Sequence, residues 1–195
     1  TGLTSGVTYY FRVQAVSPGG TGTYSAVASA TTKASQTIVF PALSDRVTTD
    51  TVGLSATASS GLSVSFAVAS GPATISGGTN LTFAGAGPVA IAASQAGNAA
   101  YAAAPGVTNT FTVTKATAGV SLSGLAQTYN GAARVATATT VPPGLTVDIT
   151  YDGSAMAPTE VGSYAVAAAI NDAMYLGSTS GTLVVSAPSA TVTLG

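Results

Sequence analysis

Apolar residues recur at every second position along much of the chain. Tyr9, Phe11, Val13 and Ala15 fall on one face, with Tyr10, Arg12 and Gln14 on the other. The same period runs through Leu62, Val64, Phe66 and Val68, through Leu81 and Phe83, and through Val89, Ile91 and Ala93. It continues in Val107, Asn109, Phe111 and Val113, in Leu145, Val147, Ile149 and Tyr151, and in Tyr164, Val166, Ala168 and Ile170. Side chains of extended backbone alternate between two sides, so each run predicts a strand with one face buried. Turn formers separate the runs: Pro18-Gly19-Gly20, Ser70-Gly71-Pro72, Gly77-Gly78, Asn130-Gly131, Pro142-Pro143-Gly144 and Asp152-Gly153. Helices with a charged face are missing from the pattern. Short strands at even spacing predict an all-β chain of antiparallel sandwiches.

Two short polar stretches, Thr31-Thr32-Lys33-Ala34-Ser35 and Thr114-Lys115-Ala116-Thr117, break the strand pattern and are expected to be domain boundaries. Both are brief, which implies closely coupled neighbours rather than freely tethered ones. The opening Thr117-Ala118-Gly119-Val120-Ser121-Leu122-Ser123 is echoed by Ser189-Ala190-Thr191-Val192-Thr193-Leu194-Gly195, the expected sign of a tandem array.

Composition narrows the chemistry. The chain has 195 residues, 46% hydrophobic and only 6% charged, with no Cys and no His. A typical soluble domain is about 25% charged. Without Cys or His there are no disulfides, no usual zinc, haem or iron–sulfur ligands, and no Ser-His or Cys-His nucleophile pair. The net charge of −1 gives no field to recruit nucleic acid. The densest apolar run, Ala165 to Ile170, falls far short of the roughly 20 residues of a membrane-spanning helix. Neither nucleic acid nor membrane insertion is expected, and no cofactor is.

The remaining candidates are few. The acids are Asp45, Asp50, Asp148, Asp152, Glu160 and Asp172. Asp148 and Asp152 lie four apart on or beside one strand, about 13 Å at ~3.3 Å per residue, too far for a glycosidase pair at about 5–10 Å. Asp45 with Asp50, and Asn171 with Asp172, offer calcium one acidic or polar pair each, where the ion takes six to eight oxygens. Asx turn chemistry accounts for these residues more simply. A Lys–Asn cross-link would draw on Lys33 or Lys115 with Asn109, or on Lys115 with Asn171, yet both lysines fall in the polar boundaries. Tyr9, Tyr101, Tyr129, Tyr151, Tyr164 and Tyr175 read as core rings of small sandwiches, with a sugar-binding face as the alternative. Asn80-Leu81-Thr82 has the pattern of a glycosylation sequon. No catalytic, cofactor or metal residue is assigned, and no enzyme is expected.

Leu3 six residues before Tyr9, the Tyr9–Val16 strand and the glycines that follow resemble the last third of a fibronectin type III domain, so residues 1–32 are expected to be the C-terminal strands of an incomplete one. Residues 35–115 resemble a bacterial immunoglobulin-like repeat, through Gln36-Thr37-Ile38-Val39-Phe40, Ala58-Ser59-Ser60-Gly61-Leu62, Ser70-Gly71-Pro72-Ala73 and Gln95-Ala96-Gly97-Asn98-Ala99-Ala100-Tyr101. Residues 117–186 are similar to the MBG repeat, through Gln127-Thr128-Tyr129-Asn130-Gly131, Ile149-Thr150-Tyr151-Asp152-Gly153-Ser154, Ala157-Pro158-Thr159 and Gly162-Ser163-Tyr164. Residues 187–195 would open a further repeat. The resemblance implies tandem antiparallel immunoglobulin-like β-sandwiches in a large exported bacterial protein. The segment would then be an extracellular or cell-surface spacer, stalk or fibre-forming piece of an adhesin-like chain. Its partners would be neighbouring domains and, through strand edges, other copies of itself. The alternative is a carbohydrate-binding accessory module with glycans as partner. Either way, the apolar face of Tyr9, Phe11, Val13 and Ala15 is one that residues 1–32 cannot cover by themselves.

Overall fold

A computed structural model describes residues 2–189. The described residues are all strand, turn and irregular backbone, with no helix. They form the all-β sandwiches that the alternation predicts, of the immunoglobulin-like kind that the resemblance implies. The expected repeat opening at 187–195 falls largely outside the described residues. The chain separates into two compact units. One holds the chain up to Ser44 with Thr51–Thr82 and Pro88–Phe111; the other holds Asp45–Asp50, Phe83–Gly87 and the chain from Thr112 onward.

In the first unit, Thr8–Phe11 pairs antiparallel with Ala28–Thr31, and Val16–Ser17 with Gly20–Thr21. This ribbon covers neither of its faces. Phe11 remains 54% and Val13 73% exposed. Ile38–Val39 pairs with Thr57–Ala58, and a three-stranded sheet runs Ala73–Ser76, Asn80–Phe83, Thr51–Gly53. A four-stranded sheet, to which the first unit contributes most of the three longer strands, has the order Arg46–Val47, Val107–Thr114, Gly87–Ser94, Ser65–Ser70; Arg46–Val47 and the residues from Thr112 belong to the second unit. Parity sorts the side chains as predicted: Leu81, Val89, Ile91, Ala93, Phe111 and Val113 are buried, and the alternating neighbours Thr108, Thr110 and Thr112 are exposed. Phe66 is half-buried, its ring tilted against Phe40 at 5.3 Å between centroids.

In the second unit, Gly119–Ser123 pairs with Thr137–Val141, and a four-stranded sheet runs Ala126–Thr128, Ser178–Ser186, Gly162–Ile170, Val147–Tyr151. Ala136, Tyr151, Val166, Leu183 and Val185 form its core, with Leu122, Leu125, Tyr129, Ile149 and Tyr164 packed around them. The buried Tyr151 hydroxyl accepts a hydrogen bond from the Ala136 N–H at 2.8 Å, which satisfies both groups away from water. At the adjoining turn Asp152 and Gly153 both take positive φ, 47° and 84°. That is the geometry a tight two-residue hairpin requires, and an Asp-Gly pair supplies it at little strain.

The expectation of purely antiparallel sheets needs one refinement. Arg46–Val47 pairs in parallel with Val113–Thr114, Ala126–Thr128 with Val184–Ser186, and Ala116–Thr117 with Tyr175–Leu176. In the first two pairs a short early strand lies beside the last strand of the same sheet. If the chain enters a sandwich at one end and leaves at the other, its first and last strands point the same way, so their pairing is parallel.

Candidate functional site

Four of the six candidate acids are brought to backbone donors. Asp45 Oδ1 accepts from the Thr112 N–H at 2.7 Å, and Asp50 Oδ2 from the Val47 N–H at 3.2 Å. Asp172 Oδ1 accepts from the Met174 and Tyr175 N–H groups at 2.7 and 3.0 Å, an Asx turn that closes its loop. Asp152 Oδ1 takes the Ala165 N–H at 2.8 Å, and Asp148 Oδ2 takes the Asn171 amide at 3.0 Å. Glu160 is exposed, and it is its backbone carbonyl that receives the Tyr164 hydroxyl at 3.0 Å. No group of three or more His, Cys, Asp or Glu converges among the described residues. Carboxylate oxygens already engaged by N–H donors make poor calcium ligands. The melting temperature should therefore be the same in excess EDTA and in millimolar calcium. A rise that grows with calcium concentration would mean a native-state site and would point to the Asp45/Asp50 or the Asn171/Asp172 loop.

Lys115 and the asparagine candidates are also engaged, while Lys33 is exposed. Lys115 is half-buried rather than free in a linker, and its ammonium donates to the Asp172 carbonyl at 2.6 Å. The Asn109 amide donates to the Pro41 carbonyl at 2.7 Å, and the Asn171 amide to Asp148. Beside Lys115 lies a residue that the sequence pattern hides. Thr48 is 1% exposed; its hydroxyl donates to the Met174 carbonyl and accepts from the Ala116 N–H at 3.1 Å.

A second hidden cluster joins three motifs that look independent in the sequence. Gln36 is 4% exposed, and its Nε2 donates to Gln95 Oε1 at 2.5 Å and to the Ala102 carbonyl at 2.6 Å. Its Oε1 receives the Ser60 hydroxyl. Gln95 Oε1 also accepts the Gly97 N–H at 2.5 Å. Gly97 has φ +77°, and a Cβ there would lie 2.3 Å from the Tyr101 carbonyl oxygen, so the motif has room only for glycine at that position. Three of the four motifs that carry the immunoglobulin-like resemblance thus meet in a hydrogen-bonded clasp around the buried Gln36.

The six tyrosines considered for a sugar face are all half-buried or buried, and Tyr129, Tyr151 and Tyr164 belong to the second core. The exposed rings are Tyr10, Phe11 and Tyr24, at 73%, 54% and 52%, with the Arg12 guanidinium 3.8 Å from the Tyr24 ring centre. Tyr10 and Phe11 are neighbours on one strand and so point to opposite sides of the ribbon, which gives no common platform. Asn80 of the sequon is exposed at the start of its strand. A shallow depression of about 450 Å³ on the outer face of the second four-stranded sheet is lined by Asp148, Thr150, Ala167, Ala169, Ser178 and Ser180. Its floor is alanine methyl and its rim is hydroxyl, with no acid–base pair.

An all-β chain of immunoglobulin-like sandwiches, its polar side chains turned to its own backbone, is the class that these features define. Residues 118–189 match the MBG domain family, which bears out the resemblance read from Gln127 to Tyr164. No curated protein matches the chain in sequence. Among solved structures it is similar to Drosophila N-cadherin EC1-4 at 10% identity, covering 95% of this chain and 59% of that one, with a TM-score of 0.35. It is similar to extracellular domains 3–5 of Drosophila OTK at 9% identity, covering 85% and 66%, with a TM-score of 0.30. The titin domains z1z2 in complex with telethonin share 18% identity, with 81% and 100% coverage and a TM-score of 0.29. The chain spans less than two thirds of the first two structures.

Proposed function

We propose that the chain is a spacer segment of a larger, exported bacterial surface protein, holding distance between functional ends rather than carrying chemistry itself. The observation that carries this reading is the recurrence of one strand order. In each four-stranded sheet a short early strand pairs in parallel with the last strand, followed by the long preceding strand and then by a middle strand at the edge. Repetition of a self-sufficient sandwich is how a chain gains length at low cost in new design. On this reading the sandwiches span residues 35–115 and 117–186. Residues 1–32 are the closing strands of a fibronectin type III-like domain, supported by the Tyr9 hydroxyl that accepts the Thr4 N–H at 2.7 Å, the bond of a tyrosine corner. Residues 187–195 lead into a further repeat. The MBG match and the engaged acids support a non-catalytic role.

The test is made on source cells. Antibody raised against this segment should label intact cells and should detect, in denaturing gels, a polypeptide far larger than 18.7 kDa. Labelling only after permeabilisation, or a polypeptide no larger than this chain, would overturn the spacer reading. Saturable binding to one glycan, lost in Tyr10→Ala, would replace it with the accessory-module reading.

A further inference from the structure

No charged residue occurs between Asp50 and Lys115, and one edge of the first four-stranded sheet lies in that interval. Ser65–Ser70 is the last strand of its sheet, paired on one side only, with Ser65 opposite Ser94 and Val68 opposite Ile91. Exposed edges are templates for another chain, and proteins usually guard them with charge, proline or shortness. The other three ends of the two four-stranded sheets are guarded. Arg46–Val47 has two residues, one of them charged; Ala126–Thr128 has three; Val147–Tyr151 presents the exposed Asp148, so that self-pairing there would bring like charges together. Ser65–Ser70 has neither charge nor proline, and its one irregularity, a slip in register beside Ala69, leaves Ser65–Val68 regular.

The core-facing side chains at this edge are also incompletely covered. Leu62, Val64, Phe66 and Val68 are all half-buried, whereas Val89, Ile91 and Ala93 of the next strand are fully buried. We propose that this edge pairs with the same edge of a second copy, antiparallel, about a two-fold axis through Ser65. That register, with the irregular residues 61–64 drawn out to continue the strand, sets Leu62 opposite Val68 and Val64 opposite Phe66 on the core side. It sets Ser63 opposite Ala67, and Ser65 opposite its own counterpart, on the outer side. Every apolar residue then meets an apolar one, and no charge is buried. A contact of this length falls below the ~1,000 Å² of a stable interface, so the pair is a weak one that forms where copies are crowded. The proposal rests on the spacer reading, because display on a surface supplies that crowding.

The chain has no cysteine, so a single introduced thiol reports the contact cleanly. Two strand residues facing each other across the axis are about 4.5–5.5 Å apart at Cα, within reach of a disulfide. Ser65→Cys should therefore cross-link to twice the 18.7 kDa mass under mild oxidation, roughly tenfold faster than Thr110→Cys on the outer face of an interior strand. Adding Ala67→Lys should return Ser65→Cys to the slow rate. Sedimentation of the cysteine-free chain from micromolar to millimolar concentration should show a monomer–dimer equilibrium that Ala67→Lys abolishes. Equal cross-linking of the two cysteine variants, or a strictly monomeric wild type, overturns the pairing. Either result leaves the surface labelling of source cells as it was, so the spacer reading is judged separately.

Discussion

Truncating Phe111 to Ala should lower the free energy of unfolding by about 3–5 kcal/mol, the cost of removing a buried ring and leaving its cavity. Phe111 lies on the face of the Val107–Thr114 strand that also buries Val113, and it is 7% exposed. A loss of that size is a large share of the ~5–15 kcal/mol by which domains are stable. Urea denaturation followed by tyrosine fluorescence measures it. Tyr10→Ala, at a ring 73% exposed, should change the same quantity by no more than about 0.5 kcal/mol. A Phe111→Ala loss below about 1 kcal/mol would mean that the ring packs against little, and the strand's inward face would be misassigned.

Gln36→Leu should be nearly as damaging although it keeps volume and adds apolar surface. The substitution leaves the Ala102 carbonyl without the Gln36 donor and the Ser60 hydroxyl without its acceptor. Each polar group left unpaired away from water costs about 1–3 kcal/mol, so a total loss of about 2–6 kcal/mol is expected for the two. Gln36→Leu combined with Gln95→Leu is the informative second step. If the clasp acts as a unit, the double variant should lose less than the sum of the two single losses. Strict additivity would show that Gln36 and Gln95 do not depend on each other.

What the sequence makes legible follows from what burial writes into it. A sheet with one wet face selects apolar residues at every second position, so Val89, Ile91 and Ala93, or Tyr164, Val166 and Ala168, announce both the strand and its inward side. Asp152-Gly153 announces its turn because few other pairs tolerate two positive φ angles. Strand direction leaves no such trace: alternation reads the same up or down a strand, so the parallel pairing of Ala126–Thr128 with Val184–Ser186 is invisible until the fold is known. Buried polar residues are invisible for a different reason. Thr48 and Gln36 look like solvent-facing residues, because the partners that satisfy them, Met174 and Ala102, are distant in sequence. Lys115 misleads in the same way, reading as a linker residue while its ammonium is tied to a carbonyl 57 positions away.

The uncharged interval between Asp50 and Lys115 also bears on the medium in which the chain can work. Stability changes with pH only where folding alters the number of bound protons. Within that interval there is no Asp, Glu, Lys or Arg. This stretch has no ion pairs within itself for salt to screen, and the charge it meets comes from neighbours such as the Asp45 carboxylate that holds its Thr112 N–H. Its integrity depends on temperature, on the apolar contacts of its core and on the Gln36 clasp, and salt acts on it through the strength of apolar burial rather than through ion pairs of its own.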